Sequence, residues 1–170
     1  MWVGIVRNPH STPNFTYGFN FNVKYKDFSL SGLIQGTGPR DMYMNGTLMA
    51  QDGPGRVRYQ FQMDYWSPTN ANSIFPRVGD SGMNGGSNYL PSTFWLINAQ
   101  YVRLKSLTLS YDIKHALLKK VNNINDLSIF FSGENLFAIS PCLQFGDPET
   151  SSYDTYPIMR VFSCGIRLGI

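Results

Sequence analysis

The chain has 170 residues, of which 15% are charged and 15% aromatic, with 16 glycines, 10 prolines and a net charge of +3. A typical soluble domain carries about 25% charged residues, and no Lys/Arg cluster dominates any segment here, so nothing in the electrostatics points to a nucleic-acid partner. Few charges, many rings and many turn-formers describe an all-β chain, and no apolar run reaches the roughly 18 residues of a membrane-spanning helix.

Membrane barrels escape that last test, because their strands need only about 9–11 alternating residues. The opening MWVGIVRNPH lacks the long apolar stretch of a signal peptide. Pro9 and Pro13 keep residues 1–14 irregular. Then Phe15, Tyr17, Phe19, Phe21, Val23 and Tyr25 alternate with Thr16, Gly18, Asn20, Asn22, Lys24 and Lys26. Strict period two predicts a strand with one apolar and one polar face. Ten steps of about 3.3 Å, tilted by about 40°, climb roughly 25 Å, the height of a lipid-facing band. The same row of rings also suits a long strand of a soluble sandwich.

Lys26-Asp27 is a tight turn into FSLSGLIQG, which implies an antiparallel hairpin. Gly32, Gly36 and Gly38 resemble a phosphate loop only superficially, since no GK[ST] follows. Strand glycines at bulges or tight curvature explain them better. GPRDMYMNGT is expected to continue this strand, so that it covers 28–44. RVRYQFQMDYW suggests another strand or a short helix, and WSPTNANSIFPRVGDSGMNGGSN is a loop by composition. A connection as long as 45–93 is usually functional or disordered. Its Tyr59, Tyr65, Trp66 and Phe75 offer stacking surfaces to a sugar or a partner, or else pack the loop against itself.

Alternation returns over 99–113, where Leu107, Leu109, Tyr111 and Ile113 share one face. Upstream the pattern conflicts: Arg103 and Lys105 have the parity of Leu107, and Val102 and Leu104 do not. A cation facing mid-bilayer lipid costs about 2–4 kcal/mol, falling to about 0–1 near the interface. Either this end stands above the hydrocarbon or a bulge shifts the register. KHALLKKVNNIN, 114–125, is a basic connector, too short for a membrane-surface helix. Leu127, Ile129, Phe131 and Phe137 keep one face of the next strand, against Ser128, Ser132 and Glu134. The loop 140–157 holds Asp147, Glu149 and Asp154 without calcium-loop spacing, so they are expected to be solvated turn carboxylates. The last strand sets Phe162, Cys164, Ile166, Leu168 and Ile170 against Ser163, Gly165, Arg167 and Gly169.

Cys142 and Cys164 form no C-x-x-C pair and are expected to be unpaired small hydrophobes. His10 and His115 are isolated, so no metal site is expected. No nucleophile–base, carboxylate-pair or cofactor constellation stands out, so the chain does not read as an enzyme.

YKDFSLSGLIQG, the WSPTN…FPR loop, YVRLKSLTLSYDI, LSIFFSGENLFAIS, GDPE and the terminal strand together resemble the C-terminal part of the SusC/RagA family of TonB-dependent outer-membrane transporters. The motifs stand in family order and cover most of 13–170. SCGIRLGI also fits the barrel-assembly signal, with Ser163, Gly165, Leu168 and Ile170 in its positions; family members usually end on an aromatic residue, and Ile170 departs from that. The resemblance implies the outer membrane of Bacteroidetes-type bacteria and a 22-stranded barrel embedded in its lipid. It implies an internal plug, a SusD-like lipoprotein partner, and TonB acting through an N-terminal region absent from this sequence. Such pairs import glycans or peptides. The implied topology runs 15–26 inward, 28–44 outward, 99–113 inward, 127–139 outward and the last strand inward. Both 45–93 and 140–157 are then extracellular, and the short turns periplasmic.

On this reading the chain is the C-terminal part of the barrel, with 1–14 an irregular segment before 15–170. Alone it predicts an open, curved antiparallel meander of about 5–6 strands with two unpaired edges. The alternative is a soluble β-sandwich carbohydrate-binding module, which would bury the aromatic faces between two sheets.

Overall fold

The computed structural model describes residues 11–44, 59–77, 90, 92–113, 126–150 and 155–169. The expectations for 1–10, most of the long loop, the 114–125 connector, Asp154 and Ile170 fall outside them. Seven strands follow in chain order: β1 Thr16–Tyr25, β2 Phe28–Thr37, β3 Asp41–Tyr43, β4 Leu96–Asn98, β5 Tyr101–Asp112, β6 Asp126–Ile139 and β7 Val161–Gly169. Five of them form one antiparallel sheet in the order β1-β2-β5-β6-β7, and β3 pairs with β4. This is an all-β open meander, with β1 and β7 as its edges.

The hairpin forms where the period-two pattern places it. Ten cross-strand pairs run without a shift from Thr16↔Thr37 to Tyr25↔Phe28. Lys26 supplies the reversal by taking φ 54°, a left-handed conformation that costs an L-residue roughly 1–2 kcal/mol. Rings and glycines pair across it, Tyr17 with Gly36 and Phe21 with Gly32. A Cβ on Gly32 would lie 2.6 Å from the Phe21 ring and 3.0 Å from the Ser106 carbonyl oxygen. These glycines leave room for the rings opposite them, and that fixes which residues can face each other.

Beyond the hairpin the register breaks once. Leu33 pairs with Ser106, but Ile34 pairs with Leu104, so Lys105 is an extra residue on β5. On the other side Leu104 meets Phe137 and Ser106 meets Glu134, so Asn135 and Leu136 lie opposite the bulge. Asn135 turns there with φ 52°. The bulge decides the open question at this end of β5. It returns Val102 and Leu104 to the face of Leu107 and Leu109 and moves Arg103 to the opposite face.

One face of the sheet is therefore continuous and apolar. Phe19 is 61% exposed, Phe131 54% and Phe162 60%, with Phe21 half-buried. Among the described residues no second sheet covers these rings, which is the opposite of a sandwich core. Neighbouring rings pack side by side along it: Phe131 stacks on Phe162 at 6.1 Å, and Phe28 lies 4.7 Å from Tyr111. The other face carries mainly small polar side chains, with Ser29 Oγ and Ser110 Oγ 2.9 Å apart. Phe130 is an exception; its ring covers Gly165, and Arg167 stands 5.9 Å above it.

Past Thr37 the β2–β5 pair continues as a narrower ribbon. The expected single strand over 28–44 is interrupted at Gly38-Pro39-Arg40 and resumes as β3. Pro39 has no N–H to donate, and the ladder is carried across the gap by Ala99 N–H to the Arg40 carbonyl, 2.9 Å.

Candidate functional site

The buried apolar clusters lie not on the lower sheet but in a lobe at the loop end of β2, β5 and β6. Met44, Phe75 and Trp95 form one buried cluster; Met42, Ala99 and Cys142 form another. Ile97 and Phe145 pack against both, so the β3–β4 ribbon, the long loop and the 140–150 segment share a core.

The long loop is built from its own polar atoms. Where a strand or a short helix was expected, Gln60–Met63 forms a 3-10 turn. Buried Gln62 closes it by accepting the Tyr59 N–H at 2.8 Å. Asp64 organises the next reversal: its carboxylate accepts from Asn70 Nδ2 at 2.9 Å and from the Ile74 N–H at 3.2 Å. Its carbonyl takes the Phe75 N–H, and the Trp66 N–H donates to the Phe75 carbonyl. Phe75 is thereby driven into the core, at 3% exposure, while Trp66 on the other parity stays at 40%.

Of the four loop aromatics singled out from sequence, Trp66 and Phe75 line one open cleft of about 370 Å³, together with Ile74, Arg77 and Phe94. Phe75 forms the floor. Tyr59 stacks at the surface on Phe61, 5.3 Å away, and Tyr65 packs beside Phe75. Phe94 was missed, although at 57% exposed it is the most open ring of the cleft. Its only sequence signal is adjacency to Trp95, whose buried ring meets it edge-on at 4.9 Å. On β7, Ser163 and Gly165 face away from the apolar side and Leu168 lies on it. Ile170 lies outside the described residues.

The firmest feature is how the second loop is tied to the sheet. Arg103 is 3% exposed and its Nη2 donates to both Asp147 oxygens, at 2.7 and 2.8 Å. Its Nε lies 3.4 Å from Glu149 Oε1, an ion pair rather than a hydrogen bond. Lys105 Nζ reaches Glu149 Oε2 at 2.7 Å, and the Tyr101 hydroxyl also donates to Glu149. Asp147 Oδ1 accepts the Glu149 N–H at 2.9 Å, so the Gly146–Glu149 turn presents both carboxylates to the strand. The solvated-carboxylate expectation for Asp147 and Glu149 is thus corrected. Two cations and two anions neutralise each other in a largely water-excluded site, where charge-assisted bonds are strongest and a lost partner is most costly. Pro148 is fully buried between the two carboxylates in sequence. Cys142 is fully buried and unpaired; burial pushes its thiol up from the ordinary range, against the hydrogen bond with Ser140. Cys164 is unpaired and exposed on the apolar face.

This arrangement positions loops on a wall; among the described residues no group of three or more His, Cys, Asp or Glu gathers as a metal site. No protein-family model matches the chain. It is 28% identical over 173 residues to TonB-dependent receptor P3 of Formosa agariphila, covering 92% of this chain and 16% of that protein. It is 24% identical over 142 residues to TonB-dependent receptor P26 of the same organism, covering 83% of this chain and 14% of that protein. Among solved structures it resembles the RagAB peptide importer in its closed-closed state, with TM-score 0.72, 24% identity and 95% of this chain aligned to 18% of that one. A second RagAB peptide transporter structure aligns with TM-score 0.68 and 21% identity over 95% of this chain. The chain therefore spans about one-sixth of the length of the receptors it matches. Along nine-tenths of its sequence this chain is thus similar to one stretch of TonB-dependent receptors, and its five-stranded sheet shares the fold of the matching part of the RagAB structures.

Proposed function

We propose that the chain supplies the C-terminal, barrel-closing strands of an outer-membrane nutrient importer, energised by TonB through a region outside this sequence. The observation that carries this is the uncovered apolar face running across all five strands, backed by a polar face. In this reading 15–170 is barrel, with 45–93 and 140–157 extracellular and the Lys26-Asp27 turn periplasmic. The cargo is a glycan or a peptide, delivered with a SusD-like lipoprotein. The RagAB peptide importer, as a structural relative, favours neither cargo for this chain. The cleft of Trp66, Ile74, Arg77 and Phe94 is the contact for cargo or lipoprotein. Ser163, Gly165, Leu168 and Ile170 serve as the barrel-assembly signal.

The test uses the full-length receptor in its own host. Membrane fractionation should recover it in the outer membrane, and its deletion should abolish growth on one cargo class. Trp66→Ala with Phe94→Ala should weaken binding of cargo or lipoprotein by about 1–2 kcal/mol. A receptor recovered in the soluble fraction would end the transport reading.

A further inference from the structure

We propose that the barrel wall carries a binding groove for one fatty acyl chain of an outer-leaflet lipopolysaccharide, at the loop end of β1, β2, β5 and β6. A cavity of about 660 Å³ opens there, within the roughly 300–1,000 Å³ usual for ligand sites. Phe15 and Tyr17 form one side, Ile139 and Pro141 the other, and Gly38 and Val102 lie between them. Tyr17, Val102 and Ile139 lie on the apolar face by the register, and Phe15, Gly38 and Pro141 extend the lining just beyond the paired strands. Phe15 is 57% exposed and Ile139 66%, so both sides stand proud of the floor.

The groove has a local cause. Gly36 and Gly38 carry no side chain, and the rings of Tyr17 and Phe15 lean over them. The neighbouring position on β5 holds the small Val102, and the next large side chain is Ile139 on β6. The Lys105 bulge matters here. Without it Arg103 would occupy this face, and a cation in the floor would exclude an alkyl chain.

The groove spans four consecutive strands and opens on the uncovered apolar face, where Phe15 and Ile139 are exposed. Its surface is continuous with the face that meets lipid, so the occupant is hydrocarbon. Thr37, Gln100 and Ser140 edge its loop side, where an amphiphile's polar end emerges among the aromatic residues of the interface. Choosing the outer leaflet, and hence lipopolysaccharide, rests on the topology proposed above.

The test is native mass spectrometry of the full-length receptor extracted from outer membranes in mild detergent. The wild type should retain lipopolysaccharide. Val102→Trp and, separately, Ile139→Gly, which fills or flattens the groove, should lose most of it. Phe131→Trp, on the same face but away from the groove, should keep it. Heat-modifiable gel migration checks that each variant is a folded barrel. Equal retention in all folded variants, retention of phospholipid instead, or no retained lipid in the wild type would overturn the groove. A receptor missing from outer membranes would instead overturn the reading beneath it.

Discussion

The β1–β2 hairpin and the upper part of β5 are neighbours in one sheet, yet they are held by different physics. The hairpin runs ten pairs in unbroken register, with one face apolar and one polar. Its partners are close in sequence, and each side chain lies on either the uncovered apolar face or the polar face. Upper β5 carries an extra residue, and its Arg103 and Lys105 find their carboxylates 44 residues away. Where a strand is built only against its two surroundings, its pattern is local. Where it also anchors a loop, charge neutralisation by distant chain overrides the pattern, and a bulge absorbs the mismatch.

Substitutions can separate the two regimes. The largest effect is expected for Arg103→Met in the full-length receptor, which leaves Asp147 a buried anion without its cation and Glu149 with Lys105 alone. Breaking such a cluster costs about 3–5 kcal/mol. Hydrogen exchange should show 140–150 losing protection while 16–37 is unchanged; protection lost equally in both would erase the distinction. Next is Phe131→Lys, which places a cation at the middle of the lipid face and should cost about 2–4 kcal/mol in bilayers. Ser132→Lys, one residue on, should cost well under half of that in the same urea titration. Gly36→Ala should cost about 1–3 kcal/mol by overpacking, since the new methyl meets the Tyr17 ring and, at 2.6 Å, the Tyr101 carbonyl oxygen. A neutral result in thermal melts would mean that ring–glycine pairing does not set the hairpin register. Lys105→Met should do least. Its side chain is 32% exposed, and a partly solvated ion pair contributes only about 0–1 kcal/mol. A loss as large as that of Arg103→Met would show that the two cations act as one unit.

The sheet was legible in the sequence because period-two alternation is a local signal that needs no distant residue. The places of the long strands, the Lys26-Asp27 turn and the apolar face below the bulge follow from it; the break at Gly38-Pro39-Arg40 and the face of Arg103 do not. The resemblance to a transporter family supplied the rest of the barrel, which no periodicity contains. The loop lobe was hard to read for a physical reason. Phe75 is buried and Phe94 exposed because of hydrogen bonds centred on Asp64 and packing against Trp95, and neither leaves a periodic trace. Likewise Asp147 and Glu149 look like turn carboxylates until Arg103 is placed opposite them. The conflict at Arg103 and Lys105 was itself the clue, since the strand's pattern fails at the two residues that bind the loop.

The central claim is that the uncovered rings face lipid and the serine-rich side faces the barrel interior. Spin labels attached one at a time to the full-length receptor in bilayers test it most directly, by collision with oxygen and with a water-soluble nickel chelate. Labels at Phe19, Phe131 and Ile166 should collide mainly with oxygen, and labels at Asn20, Ser132 and Arg167 mainly with the chelate. The reverse order, or equal exposure of both sets to the chelate, would contradict the account.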